Sequence, residues 1–180
     1  MRPFAAAVAA ILLVGGCVAD QDTKHYRIPS SSMEPTLHCG RPALGCEGRV
    51  SDQVAVKPYG DDGPERGDIV AFRTPQRART ACGVGGIFIK RVIGMPGERW
   101  AERDGYVYVN GRKLDEPYIP RARRDSETWP ARTIPAGTYF LLGDNRSQSC
   151  DSRRWGAVER RSVIGKVTDI KRGSKRIHIR

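Results

Sequence analysis

The sequence predicts a mostly β domain built from antiparallel strands, and three observations lead to that prediction. Short segments with the strand period of two recur along the chain. Two dipeptides typical of tight hairpin turns, Asp104-Gly105 and Asn110-Gly111, separate three consecutive segments of this kind. No stretch after residue 20 carries a long helical period. We therefore expect antiparallel strands and turns to form most of the fold.

The predicted elements follow a polar neck at 20–27. We expect strands at 50–56, 68–72, 87–94, 99–103, 106–110, 112–114, 138–142 and 162–170. The segments 57–67 and 73–86 are rich in glycine and are predicted to be loops. Residues 115–136 contain four prolines and are predicted to be irregular.

Residues 1–20 differ in character from the rest of the chain. Arg2 is followed by an uncharged apolar run at 4–19, which is shorter than the roughly 20 residues of a full spanning helix. Three fates are open: an uncleaved anchor helix that crosses the membrane once, a cleaved signal, or a lipoprotein with its lipid on Cys17. Each places the β-rich domain, 21–180, outside the cytoplasm.

The composition limits the partners that we expect. The formal net charge is +11, yet the sequence has neither a nucleic-acid motif nor a basic groove interleaved with aromatic residues. An anionic phospholipid surface is the simpler partner for a basic domain at a membrane. The cysteines after residue 20 form no Cys-x-x-Cys pair and the histidines are scattered. We therefore expect no nucleic acid, no metal and no cofactor.

A candidate nucleophile lies in the segment 28–37, Ile-Pro-Ser-Ser-Ser-Met-Glu-Pro-Thr-Leu, where three consecutive hydroxyls stand between Pro29 and Pro35. The prolines favour a stiff, extended backbone, on which the hydroxyl of Ser32 can be aimed. Serines beside proline are also typical of solvated linkers, and this segment alone does not exclude that interpretation.

A candidate base lies in the predicted strand 87–94, Ile-Phe-Ile-Lys-Arg-Val-Ile-Gly. Lys90 shares a strand face with Phe88 and Val92, so its amine is expected among apolar groups. Burial favours the neutral amine, which can activate a serine hydroxyl. The alternative is a lysine that protects an edge strand against aggregation.

A polar loop follows an apolar strand at 141–156, Leu-Leu-Gly-Asp-Asn-Arg-Ser-Gln-Ser-Cys-Asp-Ser-Arg-Arg-Trp-Gly. Its polar groups need one another's hydrogen bonds if the loop is packed. By itself the loop indicates only an ordered segment with an ion pair such as Asp151 with Arg153.

Four blocks in this order resemble type I signal peptidases, the membrane-anchored serine proteases that remove secretory signal peptides with a Ser-Lys dyad. The blocks are 29–37, 66–72 (Arg-Gly-Asp-Ile-Val-Ala-Phe), 89–98 (Ile-Lys-Arg-Val-Ile-Gly-Met-Pro-Gly-Glu) and 143–156. The resemblance implies an antiparallel β-sheet catalytic domain of the signal peptidase type behind a short N-terminal anchor helix.

Carried onto this sequence, the resemblance implies that Ser32 is the nucleophile and Lys90 its general base. Ser30 would donate from its side chain to the oxyanion, beside the backbone N–H of Ser32. Ser149 would hydrogen-bond and orient the Lys90 amine. A nucleophile, a base held by a third group, and donors aimed at a developing charge form a coherent catalytic set.

The resemblance also implies roles for three residues around this set. Asp151 and Arg153 would form a supporting pair, and Met33 would line the substrate cleft. Ser31 departs from the family pattern, in which a small residue such as glycine is frequent, and we treat it as tolerated.

The implied substrates are exported precursor proteins, cut after small residues at Ala-x-Ala-like sites, on the outer side of the bacterial cell membrane. Two alternatives remain: a specialised relative that processes pilus or conjugation proteins, and a catalytically silent envelope lipoprotein module. The presence of both Ser32 and Lys90 favours an enzyme. LexA-like self-cleaving repressors share the dyad, but the apolar start and the lack of a DNA-binding domain argue against them.

The four cysteines after residue 20 allow three pairings. An oxidising exterior favours disulfides. We expect Cys39 to pair with Cys46, which closes a short loop containing Gly and Pro, and Cys82 to pair with Cys150, which lies in the loop implied to orient Lys90.

Overall fold

A computed structural model describes residues 22–179, which form two antiparallel sheets. The strands are β1 Lys24–Arg27, β2 Gln53–Lys57, β3 Ile69–Arg73, β4 Ile87–Gly94, β5 Arg99–Arg103, β6 Tyr106–Val109, β7 Arg112–Lys113, β8 Trp129–Thr133, β9 Thr138–Leu142, β10 Val158–Glu159, β11 Val163–Arg172 and β12 Lys175–His178. Two short helices accompany them, α1 Gln76–Cys82 and α2 Ser152–Trp155. The prediction of a mostly β, antiparallel fold is confirmed for these residues.

The larger sheet has the order β1-β2-β11-β3-β4-β9-β10, and β12 pairs with β11. Strand β3 is buried on both faces, because Ile69 packs in a core with the residues around Met33 whereas Val70 packs in a second core with Leu141. This arrangement places the 28–37 segment against one face of the sheet and the 143–156 loop at the end of β9. The larger sheet is therefore the frame that brings the two segments together.

The smaller sheet has the order β7-β6-β5-β8. Both predicted hairpin turns are confirmed, since Arg103 pairs with Tyr106 and Val109 pairs with Arg112 across two-residue connections. The turn residues Asp104 and Asn110 have φ angles of 48° and 51°, in the left-handed region that asparagine and aspartate tolerate.

The prediction that 115–136 is irregular is wrong at β8. This strand contains Pro130, which removes a hydrogen-bond donor and argued against a strand. Two features accommodate the proline. Strand β8 lies at a sheet edge, and its register against β5 shifts between Trp100 and Glu102, where the ladder is already interrupted.

Several other elements were not indicated by the sequence pattern, among them α2, β10 and β12. The neck at 20–27 contains β1, whose exposed residues show no clear alternation of burial. The loop at 73–86 contains α1, in which Ala78 is the only buried residue, so no apolar period marks the helix. Among the strands that were predicted, the largest boundary difference is at β2, predicted at 50–56.

The anchor helix expected within residues 1–20 lies outside the described residues, and the boundary at residue 20 stays a prediction. Within 22–179, no helix is both long enough and apolar enough to span a bilayer.

Both predicted disulfides are present. The Cys39–Cys46 bond closes the loop that follows the 28–37 segment. The Cys82–Cys150 bond joins the end of α1 to the 143–156 loop, across 68 positions of sequence.

A matched pair of leucine substitutions tests the assignment of the core. Leu141 is 0% exposed whereas Leu44 is 92% exposed. We expect Leu141→Ala to lower the free energy of unfolding by about 2–5 kcal/mol, because it removes buried methyl groups and leaves a cavity. Leu44→Ala should change it by less than about 0.5 kcal/mol. Urea denaturation measures both, and equal effects would contradict the described packing.

Candidate active site

Ser32 lies in a one-turn 3-10 helix, Ser31–Met33, that buried apolar side chains hold in place. Ile28, Met33 and Leu37 are each less than 4% exposed and pack in the same core. The backbone N–H of Leu37 donates to the Met33 carbonyl at 2.9 Å. The residues on both sides of Ser32 are therefore fixed, and its hydroxyl has a defined position.

Lys90 is in contact with Ser32. Its Nζ lies 2.7 Å from Ser32 Oγ and 3.2 Å from the Ile89 carbonyl oxygen. The side chain is 3% exposed, and its Nζ lies 5.4 Å from the centre of the Phe88 ring. The structure thus brings together the two residues predicted as nucleophile and base, although they are 58 positions apart in sequence.

The environment of Lys90 favours the neutral amine. Burial lowers the pKa of Lys90 from 10.5 to about 8. The charges of Asp151 and Asp144 act to raise this pKa, and the charge of Arg153 acts to lower it, but loss of hydration is the largest effect. Lys90 can therefore accept a proton near neutral pH far more often than an exposed lysine.

The hydroxyl of Ser30 lies beside the nucleophile, with its Oγ 3.3 Å from Ser32 Oγ. A donor at this position is within reach of an oxyanion that forms next to Ser32. Its role as an oxyanion donor stays a prediction.

Asp151 and Arg153 form a buried pair. Arg153 Nε donates to Asp151 Oδ1 at 2.9 Å, and the N–H of Gly143 donates to Asp151 Oδ2 at 3.1 Å. Burial acts to lower the pKa of Arg153, but the neighbouring carboxylates, Asp151 first, raise it overall. Arg153 therefore stays charged, and the pair ties both ends of the 143–156 loop together.

Ser149 does not make the predicted hydrogen bond to the Lys90 amine. Its Oγ is buried and has no hydrogen-bond partner among the described residues, and no hydrogen bond joins it to Lys90. It is nevertheless close to the nucleophile, because a Cβ placed on Gly143 would contact both Ser149 Oγ and the Ser32 carbonyl oxygen. A buried hydroxyl without a partner is costly, so this group is available for a further hydrogen bond. Its orienting role stays a prediction.

Two supporting contacts were not found by sequence reasoning. Arg91, on the strand face opposite to Lys90, binds Asp144 through two hydrogen bonds of 2.9 and 2.6 Å. Asn145 donates from its side chain to the Ser31 carbonyl and from its backbone N–H to the Ser32 carbonyl. The Gly-Asp-Asn run directly after a strand marks these residues as a polar cluster, but their partners are distant in sequence.

Glu34 holds the loop closed by the Cys39–Cys46 disulfide against the 28–37 segment. Its side chain is fully buried, and Oε1 accepts from the N–H groups of Cys39 and Glu47 at 3.0 and 2.9 Å. Its Oε2 lies 2.5 Å from Nδ1 of His38. Ligand atoms of Glu34, His38 and Glu47 lie within 4.8 Å of one another, a spacing that could hold a cation. Because protein groups already occupy the Glu34 oxygens, we assign the cluster to fixing this loop.

A groove of about 500 Å³ opens beside the dyad. Its lining comprises Tyr26, Arg27, Ile28, Pro29, Ser30, Ser31, Ser32, Met33, Cys82, Val84, Gly85, Ile87, Phe88, Ile89, Lys90, Gln148 and Cys150. Strand β1 has a single partner, β2, and β4 pairs with β9 only from Arg91 onwards. Both walls therefore present backbone groups without a strand partner among the described residues, which suits an extended peptide. Met33 is among the lining residues, and its contact with substrate stays a prediction.

Comparison with known proteins gives one family. The family model described as "Signal peptidase, peptidase S26" matches residues 1–170. The probable signal peptidase I-2 of Synechocystis sp. is 40% identical over 162 residues, which cover 89% of this chain and 67% of that protein. The signal peptidase I of Leptolyngbya laminosa is 38% identical over 143 residues, which cover 78% of this chain and 64% of that protein.

More distant relatives have the same description. Signal peptidase IB of Staphylococcus aureus is 32% identical over 164 residues, which cover 79% of this chain and 74% of that protein. A crystal structure of signal peptidase I from Enterococcus faecalis is 34% identical, with a TM-score of 0.49, and covers 61% of this chain and 100% of that chain. The chain spans about two thirds of the length of the first two relatives.

The lowered pKa of Lys90 predicts how stability depends on pH. Between about 8 and 10.5 the unfolded chain holds the Lys90 proton and the folded chain does not, so folding becomes more favourable as pH rises through this window. We expect the stability of Lys90→Met relative to wild type to be greatest at pH 7 and to decline toward pH 10.5. Urea denaturation of both proteins at several pH values measures the difference, and a constant difference would show an unshifted amine.

Proposed function

This chain belongs to the signal peptidase family, peptidase S26, and we propose that it acts as a type I signal peptidase on exported precursor proteins. The observation that supports this most is the 2.7 Å contact between Lys90 Nζ and Ser32 Oγ. Because Lys90 is 3% exposed, burial increases the neutral fraction of its amine, which is the form that a serine nucleophile needs from its base.

The proposed reaction begins with Lys90 as general base. Its neutral amine accepts the proton of Ser32 Oγ while Oγ forms a bond to the carbonyl carbon of the scissile peptide. The Ser30 hydroxyl and the Ser32 N–H donate to the resulting oxyanion. Collapse of this intermediate breaks the C–N bond, and the Lys90 ammonium returns its proton to the departing amine.

The second half of the reaction releases the signal peptide. Water attacks the ester that joins the signal peptide to Ser32, and Lys90 takes a proton from that water. The proton then passes to Ser32 Oγ as the ester bond breaks, which restores both residues. Ser149 is proposed to orient the Lys90 amine during these steps, and Asp151 with Arg153 to hold the loop that carries Ser149.

The proposed substrate is an extended peptide with small residues before the cut. An extended segment would lie between β1 and the first half of β4, where alternate side chains point toward the groove wall. Shallow apolar pockets reject bulk by overpacking. We therefore propose cleavage after Ala-x-Ala-like sequences, with Met33 as part of the cleft.

The proposed location is the bacterial cell membrane, with the catalytic domain on the outer side. Residues 1–20 are proposed as a single anchor helix, and an anionic phospholipid surface as the partner of the basic domain. The net charge of +11 supports attraction to anionic lipid. Precursor proteins emerging at the same surface would then reach the groove.

The decisive test is incubation of the purified protein with a panel of exported precursors, with new N-termini identified by mass spectrometry. We expect the wild-type protein to cleave after a small residue and both Ser32→Ala and Lys90→Met to be inactive. Because nucleophile and base act as one unit, the double variant should be no worse than either single variant. Ser30→Ala should lose about 100- to 1,000-fold in kcat, as for one oxyanion donor.

Matched controls are available on exposed positions. Ser174→Ala and Lys113→Met make the same chemical changes on exposed side chains. They should retain wild-type turnover. An active Ser32→Ala protein would refute the dyad, and a wild-type protein that cleaves no precursor would favour the silent envelope module. Cleavage restricted to pilus or conjugation proteins would identify the specialised relative.

The pH dependence of cleavage follows from the Lys90 amine. With a pKa of about 8, the neutral fraction rises as pH increases through that value. We expect kcat/KM to rise between about pH 7 and 9, and Lys90→Arg to be inactive because guanidinium keeps its proton. A rate that tracks an unshifted lysine, or an active Lys90→Arg protein, would show that Lys90 is not the base.

A further inference from the structure

We propose that the Cys82–Cys150 disulfide sets the width of the substrate groove and so determines how strictly the enzyme selects small residues before the cut. This inference rests on the proposed function, because it concerns the specificity of that reaction. Both cysteines line the groove. Neither touches Ser32 Oγ, so their effect is one of positioning.

The disulfide joins one groove wall to the loop of the catalytic site. Cys150 stands between Ser149 and Asp151, and Asp151 is fully buried and bound by Arg153. Cys82 is the last residue of α1 and is followed by Val84 and Gly85, which form part of the wall. The position of the wall thus depends on a covalent link to a rigid loop.

Other contacts hold this wall weakly. At its base, Thr74 and Gly86 share three hydrogen bonds. The Thr74 N–H and hydroxyl donate to the Gly86 carbonyl at 2.8 and 3.2 Å, and the Gly86 N–H donates to Thr74 Oγ1 at 2.9 Å. Helix α1 buries only Ala78, and Val84 is 57% exposed. A segment with so few buried apolar contacts opens at little free-energy cost. The disulfide is therefore the main restraint on the part of the wall between α1 and Gly86.

The opposite wall and the dyad are held without this disulfide. Ile28 is 3% exposed, and its N–H donates to the Asp52 carbonyl at 2.9 Å. Lys90 lies in the body of β4, and Asn145 binds the Ser32 carbonyl. Loss of the disulfide should widen the groove from one side and leave the distance from Lys90 to Ser32 largely unchanged.

A rigid pocket is what allows a protease to reject one or two extra methyl groups. Such groups typically alter kcat/KM by roughly 10- to 200-fold, provided that the wall does not move to accommodate them. A mobile wall would lose part of this discrimination. The expected signature is a change in selectivity that exceeds the change in the rate for the best substrate.

The experiment uses the full chain with two precursors that differ only in Ala or Val immediately before the cut. Wild type, Cys82→Ser/Cys150→Ser and Cys39→Ser/Cys46→Ser are compared by kcat and KM on both. We expect the Ala-to-Val ratio of kcat/KM to fall at least about 5-fold in Cys82→Ser/Cys150→Ser, from part of the methyl discrimination. For this variant, the fall in the ratio should exceed any change in kcat on the Ala precursor, since Lys90 and the Ser32 turn are held by contacts other than this disulfide. The Cys39→Ser/Cys46→Ser control also lacks one disulfide and should keep the wild-type ratio.

A second measurement applies if Cys82→Ser/Cys150→Ser fails to fold. Reduction of the folded Cys39→Ser/Cys46→Ser protein followed by alkylation opens the Cys82–Cys150 bond in the assembled domain, and the same fall in the ratio is expected. An unchanged Ala-to-Val ratio of kcat/KM, in the double variant or in the reduced and alkylated protein, overturns the inference while leaving the proposed function intact. A wild-type protein that cleaves neither precursor overturns both.

Discussion

Burial of the Lys90 amine is the constraint on which the rest of the site depends. An exposed lysine would be almost wholly protonated at neutral pH and could not act as a base. The amine is buried because Lys90 points from strand β4 toward the side of the sheet that carries Phe88, and because the Ser32 turn covers it. The same contact that removes water from the amine thus brings it against Ser32, the proposed nucleophile.

The buried amine can be neutral only if the negative charges of the nearby carboxylates are balanced by cations. Asp144 and Asp151 both act to raise the pKa of Lys90 and so to keep it charged. Each is bound by a buried arginine, Asp144 by Arg91 and Asp151 by Arg153. Carboxylates fully paired in this way also tie β4, β9 and the 143–156 loop into one unit. The charged groups around the dyad therefore provide rigidity while their effect on the lysine stays smaller than that of burial.

The features of the fold that depend on local chemistry were accessible from the sequence. Strand β4 follows from a run rich in isoleucine, phenylalanine and valine, and the turns at Asp104-Gly105 and Asn110-Gly111 follow from left-handed backbone preference. Strand β8 was missed because proline lacks a backbone N–H and is rare in strands. Pro130 is tolerated here because β8 lies at a sheet edge where the hydrogen-bond ladder is interrupted. Helix α1 was missed because it buries only Ala78, which leaves no periodic pattern.

The sequence by itself determined the identities and the order of the candidate catalytic groups, and the resemblance carried by its four blocks pointed to the same residues. It also determined that Lys90 lies on an apolar strand face, because alternation along a strand is a local property. Only the tertiary structure decided the 2.7 Å contact of Lys90 with Ser32 and the pairing of Arg91 with Asp144. It also decided that no group within residues 22–179 hydrogen-bonds to Ser149 Oγ. These contacts join segments far apart in sequence, so their geometry is set by how the sheets pack and not by any pattern along the chain.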